Sequence, residues 1–567
     1  MHRHISQFAL SFSGLGVLLG TLFLAASFAP SLIPRNPVFQ GVLTGMSAAL
    51  GYGFGVFLRW LWDYLELPTN RTGWDVLALK IAASVACGGI ALFFLWNASE
   101  WQNSIRLLMG LSPVETSRPY TVGCIALAVF LILVLIGRLF ALMIRWVSGY
   151  LSSHVPRRVS NILALVVVSA IFWMIGNGVL VSQAVGALDA SYRQFDTLVE
   201  DGIRPPEEPG KTGSPASLIA WKTLGRAGRE VITSPPTQGD IAAFTGRPAL
   251  EPIRVYVGVA SAETVRERAQ LALEELIRVG GFERSVLVIA TPTGTGWLDP
   301  ASQRSLEYLE NGDVATVTVQ YSHLPSWLAL LVDPDIGDET ARAVFDLIYD
   351  YWHRLPRDAR PRLYLHGLSL GALHSQRSWE LHELLGDPIH GALWSGPPFR
   401  SDLWRTLTDS RDPDSPEWRP RFREGRFVRF MNQQGTAEPA DAPWGPMRLL
   451  YLQYASDPIT FFDHRYAWRR PDWLAEPRGP DVSPSLRWFP LVTMLQLAVD
   501  MAVTTPTPPG YGHVYAPADY VDAWRLVSSP PGWNADALQR LKLQLTHEQA
   551  RAGEQDSNEA AYDNRGG

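Results

Sequence analysis

The sequence predicts two parts of different class: an α-helical transmembrane bundle, followed by a doubly wound α/β domain with a mainly parallel sheet. Three observations carry this. Apolar runs of about 20 residues, the length needed to cross a bilayer core, recur five times before residue 185. After residue 250, short β-rich runs alternate with amphipathic helical stretches, as in a parallel sheet covered on both faces. The charge divides along the same line: residues 1–190 carry 11 Lys+Arg and 6 Asp+Glu, whereas residues 191–567 carry 38 and 49.

At 567 residues the chain is long enough for more than one folding unit. A net charge of −6 without a basic block argues against nucleic-acid binding. The two cysteines, Cys87 and Cys124, both lie in apolar runs, so the rear part needs neither a disulfide nor a thiolate-bound metal. Without a Cys/His cluster, an HExxH or a Walker-type phosphate loop, no metal and no cofactor is expected.

The five apolar runs fall at residues 8–29, 38–62, 74–96, 121–146 and 159–181. The first lacks a small-x-small cleavage site and reads as an uncleaved anchor. With the N-terminus in the cytoplasm, that side collects Arg3, Arg59, Arg71, Arg145, Arg157 and Arg158, against Arg35, Arg106 and Arg118 opposite. The excess favours this orientation, and an odd number of spans then puts the rear domain outside the cytoplasm. Gly41, Gly45, Gly51 and Gly55 give two GxxxG spacings that allow close helix contact. Lys80 and Arg138 lie near span ends, where they can snorkel, so no ion path is marked by buried charge.

The expected division is a transmembrane module over residues 1–185, a Pro/Gly/Ser-rich connector over 186–250, the α/β domain over 251–550 and a polar, disordered tail over 551–567. Within the α/β domain, RVYVGV, SVLVIAT, VATVTVQYS, RLYLHG, GALWSG and RLLYLQYA read as buried strands. The Trp-, Tyr- and Pro-rich stretch 397–447 reads as a lid.

The run RLYLHGLSLGA places G-x-S-x-G between an apolar strand and a helix-compatible segment. Gly367 and Gly371 leave space for a strained turn that projects the Ser369 hydroxyl, and the helix behind it aims N–H groups at developing negative charge. A serine at its free pKa needs a base, itself oriented by a carboxylate. His513, in a glycine-flanked loop, is the candidate base, ahead of His464 and His547. Asp457, just past the strand RLLYL, is the candidate acid, with Asp463 as fallback. The oxyanion donors are expected at Leu370 and, in the TPTGTGW loop, at Gly294 or Thr295.

The combination resembles a bacterial family of membrane-bound α/β-hydrolases, in which a multi-span module precedes an α/β-hydrolase domain. The resemblance rests on TPTGTGW (291–297), GLSLG (367–371), ASDP (455–458), GHVY (512–515) and the LGRAGR connector (224–229), and covers almost the whole chain. It implies a Ser369/Asp457/His513 triad in a multi-pass protein of the bacterial cytoplasmic membrane. The expected activity is a serine hydrolase of the esterase or lipase type. Its partners would be membrane lipids and an amphiphilic ester, such as a lipid, an aminoacylated phospholipid or a cell-envelope ester. Acyl transfer would use the same residues. A non-catalytic scaffold or transport accessory with a vestigial domain is the alternative from another class. The fold alone names no substrate, and the sequence sets no oligomeric state.

Overall fold

The computed structural model describes residues 12–68, 73–198, 203–438, 442–503 and 507–563. The chain divides into two compact units. One comprises Ala187–Phe461, Ala475–Pro480 and Pro509–Gly567; the other comprises Met1–Gly186, Phe462–Leu474 and Asp481–Pro508.

The larger unit is built on an eight-stranded sheet of order β1-β3-β2-β4-β5-β8-β6-β7. The strands are β1 (Ile253–Val257), β2 (Val286–Thr291), β3 (Val314–Val319), β4 (Arg362–Leu368), β5 (Gly391–Ser395), β6 (Val428–Asn432), β7 (Gly435–Thr436) and β8 (Arg448–Leu452). Every pairing is parallel except β6 with β7. β1, β2, β3, β5 and β6 are buried at every residue, because helices cover both faces and an unbroken apolar run suits such a strand. The six expected strands are those observed apart from β6 and β7. These lie in the stretch 397–447, where a lid is expected; part of that stretch is instead hydrogen-bonded into the sheet. RFVRFMNQQGT carries two arginines among its apolar residues, and Arg429 is buried in β6, donating to the carbonyls of Gly425 and Ala442.

The expected connector is ordered by its arginines. Arg229, 2% exposed, donates to the Asp196 and Leu198 carbonyls at the end of the helix Ser182–Thr197 and so caps it. Of the tail expected to be disordered, residues 551–563 continue the helix Ala535–Asp563, and residues 564–567 lie outside the described residues. On β1, Arg254 makes a bidentate pair with Glu307 at 2.7 and 2.8 Å and also donates to the Val231 carbonyl, tying three elements together inside the unit.

Among the described residues, the smaller unit holds four helices long and apolar enough to cross a membrane: Pro37–Tyr64, Ile81–Leu108, Pro119–Leu151 and Arg157–Gly176. The first expected span is described only as the shorter helix Gly14–Ser27; residues 8–11, and with them Arg3 and Arg71, lie outside the described residues. The two GxxxG pairs serve different neighbours. A Cβ at Gly41 or Gly45 would meet Ile125 or the Ala126 carbonyl, whereas at Gly51 or Gly55 it would meet the Leu19 carbonyl or Gly16.

Two segments expected in the α/β domain, 462–474 and 481–508, belong to this unit instead. An ion pair explains the second. Arg35 Nε lies 2.6 Å from Asp500 Oδ1, with both side chains fully buried. Ser31 also donates to Asp500, Arg35 Nη1 donates to Gln40 at 3.2 Å, and the Arg35 N–H donates to Gln102 at 2.9 Å. Sequence reading places Arg35 in an exposed loop because its partner is distant in the chain. Asp500→Ala would leave Arg35 buried and uncompensated, at a cost of about 3–5 kcal/mol. The thermal midpoint of the detergent-solubilised full chain should fall sharply, and the double variant Arg35→Leu/Asp500→Leu should regain most of the loss. Equal midpoints for the wild type and Asp500→Ala would refute this role.

Candidate active site

Ser369 directly follows β4 and adopts φ 56° and ψ −126° before the helix Leu370–Arg377 begins. This is a region that non-glycine residues occupy at a cost of about 1–3 kcal/mol, and such strain gathers at functional sites. The turn tolerates it because its glycines let the backbone close. A Cβ on Gly367 would lie 2.3 Å from the Gly371 carbonyl oxygen, and one on Gly371 would lie 2.2 Å from the Thr291 carbonyl oxygen. The Ser369 N–H is held by the Ser395 carbonyl at the end of β5, at 3.0 Å. Ser369 is 4% exposed.

Asp457 follows β8, which lies next to β5 in the sheet. Its carboxylate has no exposed surface and accepts four hydrogen bonds. Oδ2 takes His513 Nδ1 at 2.7 Å, the Tyr515 hydroxyl at 2.8 Å and the Thr460 hydroxyl at 3.2 Å, while Oδ1 takes the Ile459 N–H at 2.9 Å. His513 Nδ1–H is therefore the donor in this pair, which leaves Nε2 as the free lone pair; Nε2 is buried and has no hydrogen-bond partner among the described residues.

The loop that carries His513 is pinned at three points. The Gly512 N–H donates to Ser456 Oγ at 2.8 Å, Gln433 Nε2 donates to the Gly510 carbonyl at 2.6 Å, and the Ala516 N–H donates to the Tyr454 hydroxyl at 3.0 Å. Gly396, at φ 50°, lets the chain pass close beneath the imidazole: a Cβ there would lie 2.6 Å from His513 Cε1. The Tyr515 hydroxyl is held protonated by burial first and by the Asp457 charge second, since both push its pKa well up. It can thus serve only as a donor to Asp457.

Of the expected oxyanion donors, Leu370 stands first in its helix, where an N–H has no intrahelical partner. The Gly294 N–H is already bonded to Ser326 Oγ at 3.0 Å. The Thr295 N–H has no hydrogen bond among the described residues. Its loop is braced from behind, with the Tyr256 hydroxyl donating to the Gly296 carbonyl at 2.9 Å and Gln320 to the Thr295 carbonyl at 3.2 Å. Between Gly294 and Thr295, the geometry leaves Thr295 uncommitted.

The other candidates fall elsewhere. Asp463 pairs with Arg465 at 2.6 Å, His464 has a largely exposed side chain, and His547 lies on an exposed face of the helix Ala535–Asp563. Tyr515, Thr460, Ser456 and Gln433 have site roles that sequence reading missed. Tyr515 and Ser456 stand inside the GHVY and ASDP motifs, so their proximity to the acid and the base was the available signal. Gln433 carried none. No group of three or more possible metal ligands occurs among the described residues.

A parallel sheet with a strained Ser between strand and helix, and a carboxylate–imidazole pair past later strands, is the architecture of an α/β-hydrolase. The chain belongs to the α/β-hydrolase family: the family model matches residues 253–541, and the model of that family's N-terminus matches residues 28–236. Comparison with curated proteins and with solved structures gave no match.

Gly371→Ala tests the packing of the turn. Its methyl would have to displace the Thr291 carbonyl, and overpacking of this kind costs about 1–3 kcal/mol. A thermal midpoint below that of wild type is expected; an unchanged midpoint would mean that the turn is looser than this geometry.

Proposed function

We propose that the protein is a membrane-anchored serine hydrolase that cleaves an acyl ester. The observation that carries this is the buried, unpartnered Nε2 of an imidazole held by a fully buried carboxylate, in the same unit as a serine strained at a strand–helix turn. Ser369 Oγ attacks the ester carbonyl while His513 Nε2 accepts its proton. Asp457 keeps Nδ1 protonated and stabilises the imidazolium that forms. The N–H groups of Leu370 and Thr295 receive the oxyanion. Nε2 then protonates the departing alcohol, and water attacks the acyl-enzyme by the same route in reverse.

Covalent linkage to four helices long enough to span a bilayer supports a substrate that resides in or at the membrane, a lipid or a cell-envelope ester. The arginine asymmetry of the short loops supports a cytoplasmic N-terminus; with Gly14–Ser27 counted as a fifth span beside the four longer helices, the catalytic domain stands on the outer side of a bacterial cytoplasmic membrane.

A fluorophosphonate probe applied to native membranes tests the assignment. Wild type should form a covalent adduct on Ser369, and Ser369→Ala and His513→Ala should abolish it. Asp457→Asn should label slower by a factor on the order of 10³–10⁴, because the imidazole would adopt the wrong tautomer. A folded wild type that forms no adduct would overturn the reading.

A further inference from the structure

We infer that Tyr454, its hydroxyl proton committed to Asp519, is a positioning residue that sets how the His513 loop stands against the Asp457 turn. Within the serine-hydrolase reading, on which this rests, neither Tyr454 nor Asp519 touches the reacting atoms; both act through the acid and the base.

Tyr454 lies just past the end of β8 and serves both members of the pair. Its carbonyl accepts the Asp457 N–H at 3.0 Å, which closes the turn that presents the acid. Its hydroxyl accepts the Ala516 N–H at 3.0 Å, in the loop that presents the imidazole. Its ring stacks on Tyr515 with centroids 4.6 Å apart and planes inclined by 22°, and the Tyr515 hydroxyl donates to Asp457 at 2.8 Å. Acid and base are thus joined twice. The direct link is the 2.7 Å bond of His513 Nδ1 to Asp457; the second runs through Tyr454.

Asp519 decides which way the Tyr454 hydroxyl points. It stands in the first turn of the helix Pro517–Ser528, whose N-cap is Ala516. A carboxylate at the third helical position reaches back to the N-cap N–H in a capping box, as Asp240 does to Thr237 in this chain. Here the Tyr454 hydroxyl stands between the two: it donates to Asp519 Oδ2 at 2.5 Å and accepts from the Ala516 N–H. Burial first, and the Asp519 charge second, push the Tyr454 hydroxyl well up, so it keeps its proton and directs it at Asp519. That leaves a lone pair facing the N–H. Without the acceptor the hydroxyl rotor is free to turn, and Ala516 loses a fixed partner.

Asp519 is 8% exposed, and burial pushes its carboxyl up to about 6. Lys542, a cation whose charge reaches it, is committed to Asp522 at 2.6 Å. A buried carboxylate that meets a hydroxyl in place of a cation is costly to keep, and well-packed apolar residues in place of buried charges are often no less stable. What Asp519 supplies and an apolar residue does not is the fixed polarity of Tyr454.

The test follows the reaction of the fluorophosphonate with Ser369 on the full chain in membranes, with the maximal rate of adduct formation separated from the affinity for the probe. It is run at about pH 8, where the Asp519 carboxyl is ionised. Tyr454→Phe keeps the ring stack and removes the hydroxyl; Asp519→Leu keeps the bulk and removes the acceptor. Each should lower the maximal rate about tenfold and leave probe affinity within about twofold, because a small misplacement of a reacting group acts on the chemical step. Asp519→Asn, whose amide oxygen accepts the same hydroxyl, should recover most of the rate lost in Asp519→Leu. The double variant Tyr454→Phe/Asp519→Leu should be no slower than Tyr454→Phe, since both changes break one chain of contacts. A folded Tyr454→Phe that labels at the wild-type maximal rate would overturn the inference. So would losses that multiply in the double variant, or an Asp519→Asn as slow as Asp519→Leu. Tyr454→Phe removes a single oxygen and decides alone if Asp519→Leu does not fold. If wild type itself forms no adduct on Ser369, the hydrolase reading fails first and this inference with it; a labelled wild type with unchanged variants overturns this inference alone.

Discussion

A carboxylate with no exposed surface must find all its hydrogen bonds inside the protein, and at Asp457 that requirement organises the site. Its two oxygens accept from His513, Tyr515, Thr460 and the Ile459 N–H. Two of these donors come from the turn that follows β8, and two from a loop more than fifty residues later. Meeting the needs of one buried group therefore joins the end of the sheet to the loop that carries the imidazole. Because Nδ1 is committed to the acid, the proton acceptor of His513 can only be Nε2.

The strain at Ser369 depends on its surroundings in the same way. A serine at φ 56° persists only where neighbouring structure overdetermines it. The Ser395 carbonyl holds its N–H, and the Thr291 carbonyl leaves no space for a side chain at Gly371. Three adjacent strand ends, those of β2, β4 and β5, thus define the turn together. The β6–β7 hairpin extends the same sheet, and Gln433 from it steadies Gly510 in the imidazole loop. What read as a lid is, over these residues, part of the scaffold.

In the helical unit, close packing comes from glycines that face two different helices, and specificity comes from a buried ion pair. Small residues let backbones approach closely and polar contacts select partners, so together they decide which helix faces meet. The Arg35–Asp500 pair, with Ser31, Gln40 and Gln102 around it, brings a stretch of the late sequence into this unit. Removing one partner exposes the desolvation cost that the pair otherwise offsets.

Much of this was legible in the chain itself. Six strands, the strand–turn–helix context of Ser369, and Asp457 and His513 as carboxylate and base candidates followed from local rules: apolar runs make buried strands, glycines permit a tight turn, and an acid just past a strand lies at the sheet's working edge. Length and hydropathy likewise pointed to the four described helices able to span a bilayer, while the first of the five expected spans is described only as the shorter Gly14–Ser27. Only the tertiary structure decided the rest. It assigned Gly294 to Ser326, gave Tyr515 to the acid, built β6 and β7 into the sheet, and paired Arg35 with Asp500. Each of these is a contact between residues far apart in sequence, and a polar side chain shows no periodicity that would announce such a partner. Local sequence determines which elements form; burial of polar groups, satisfied only by distant donors and acceptors, determines how they meet.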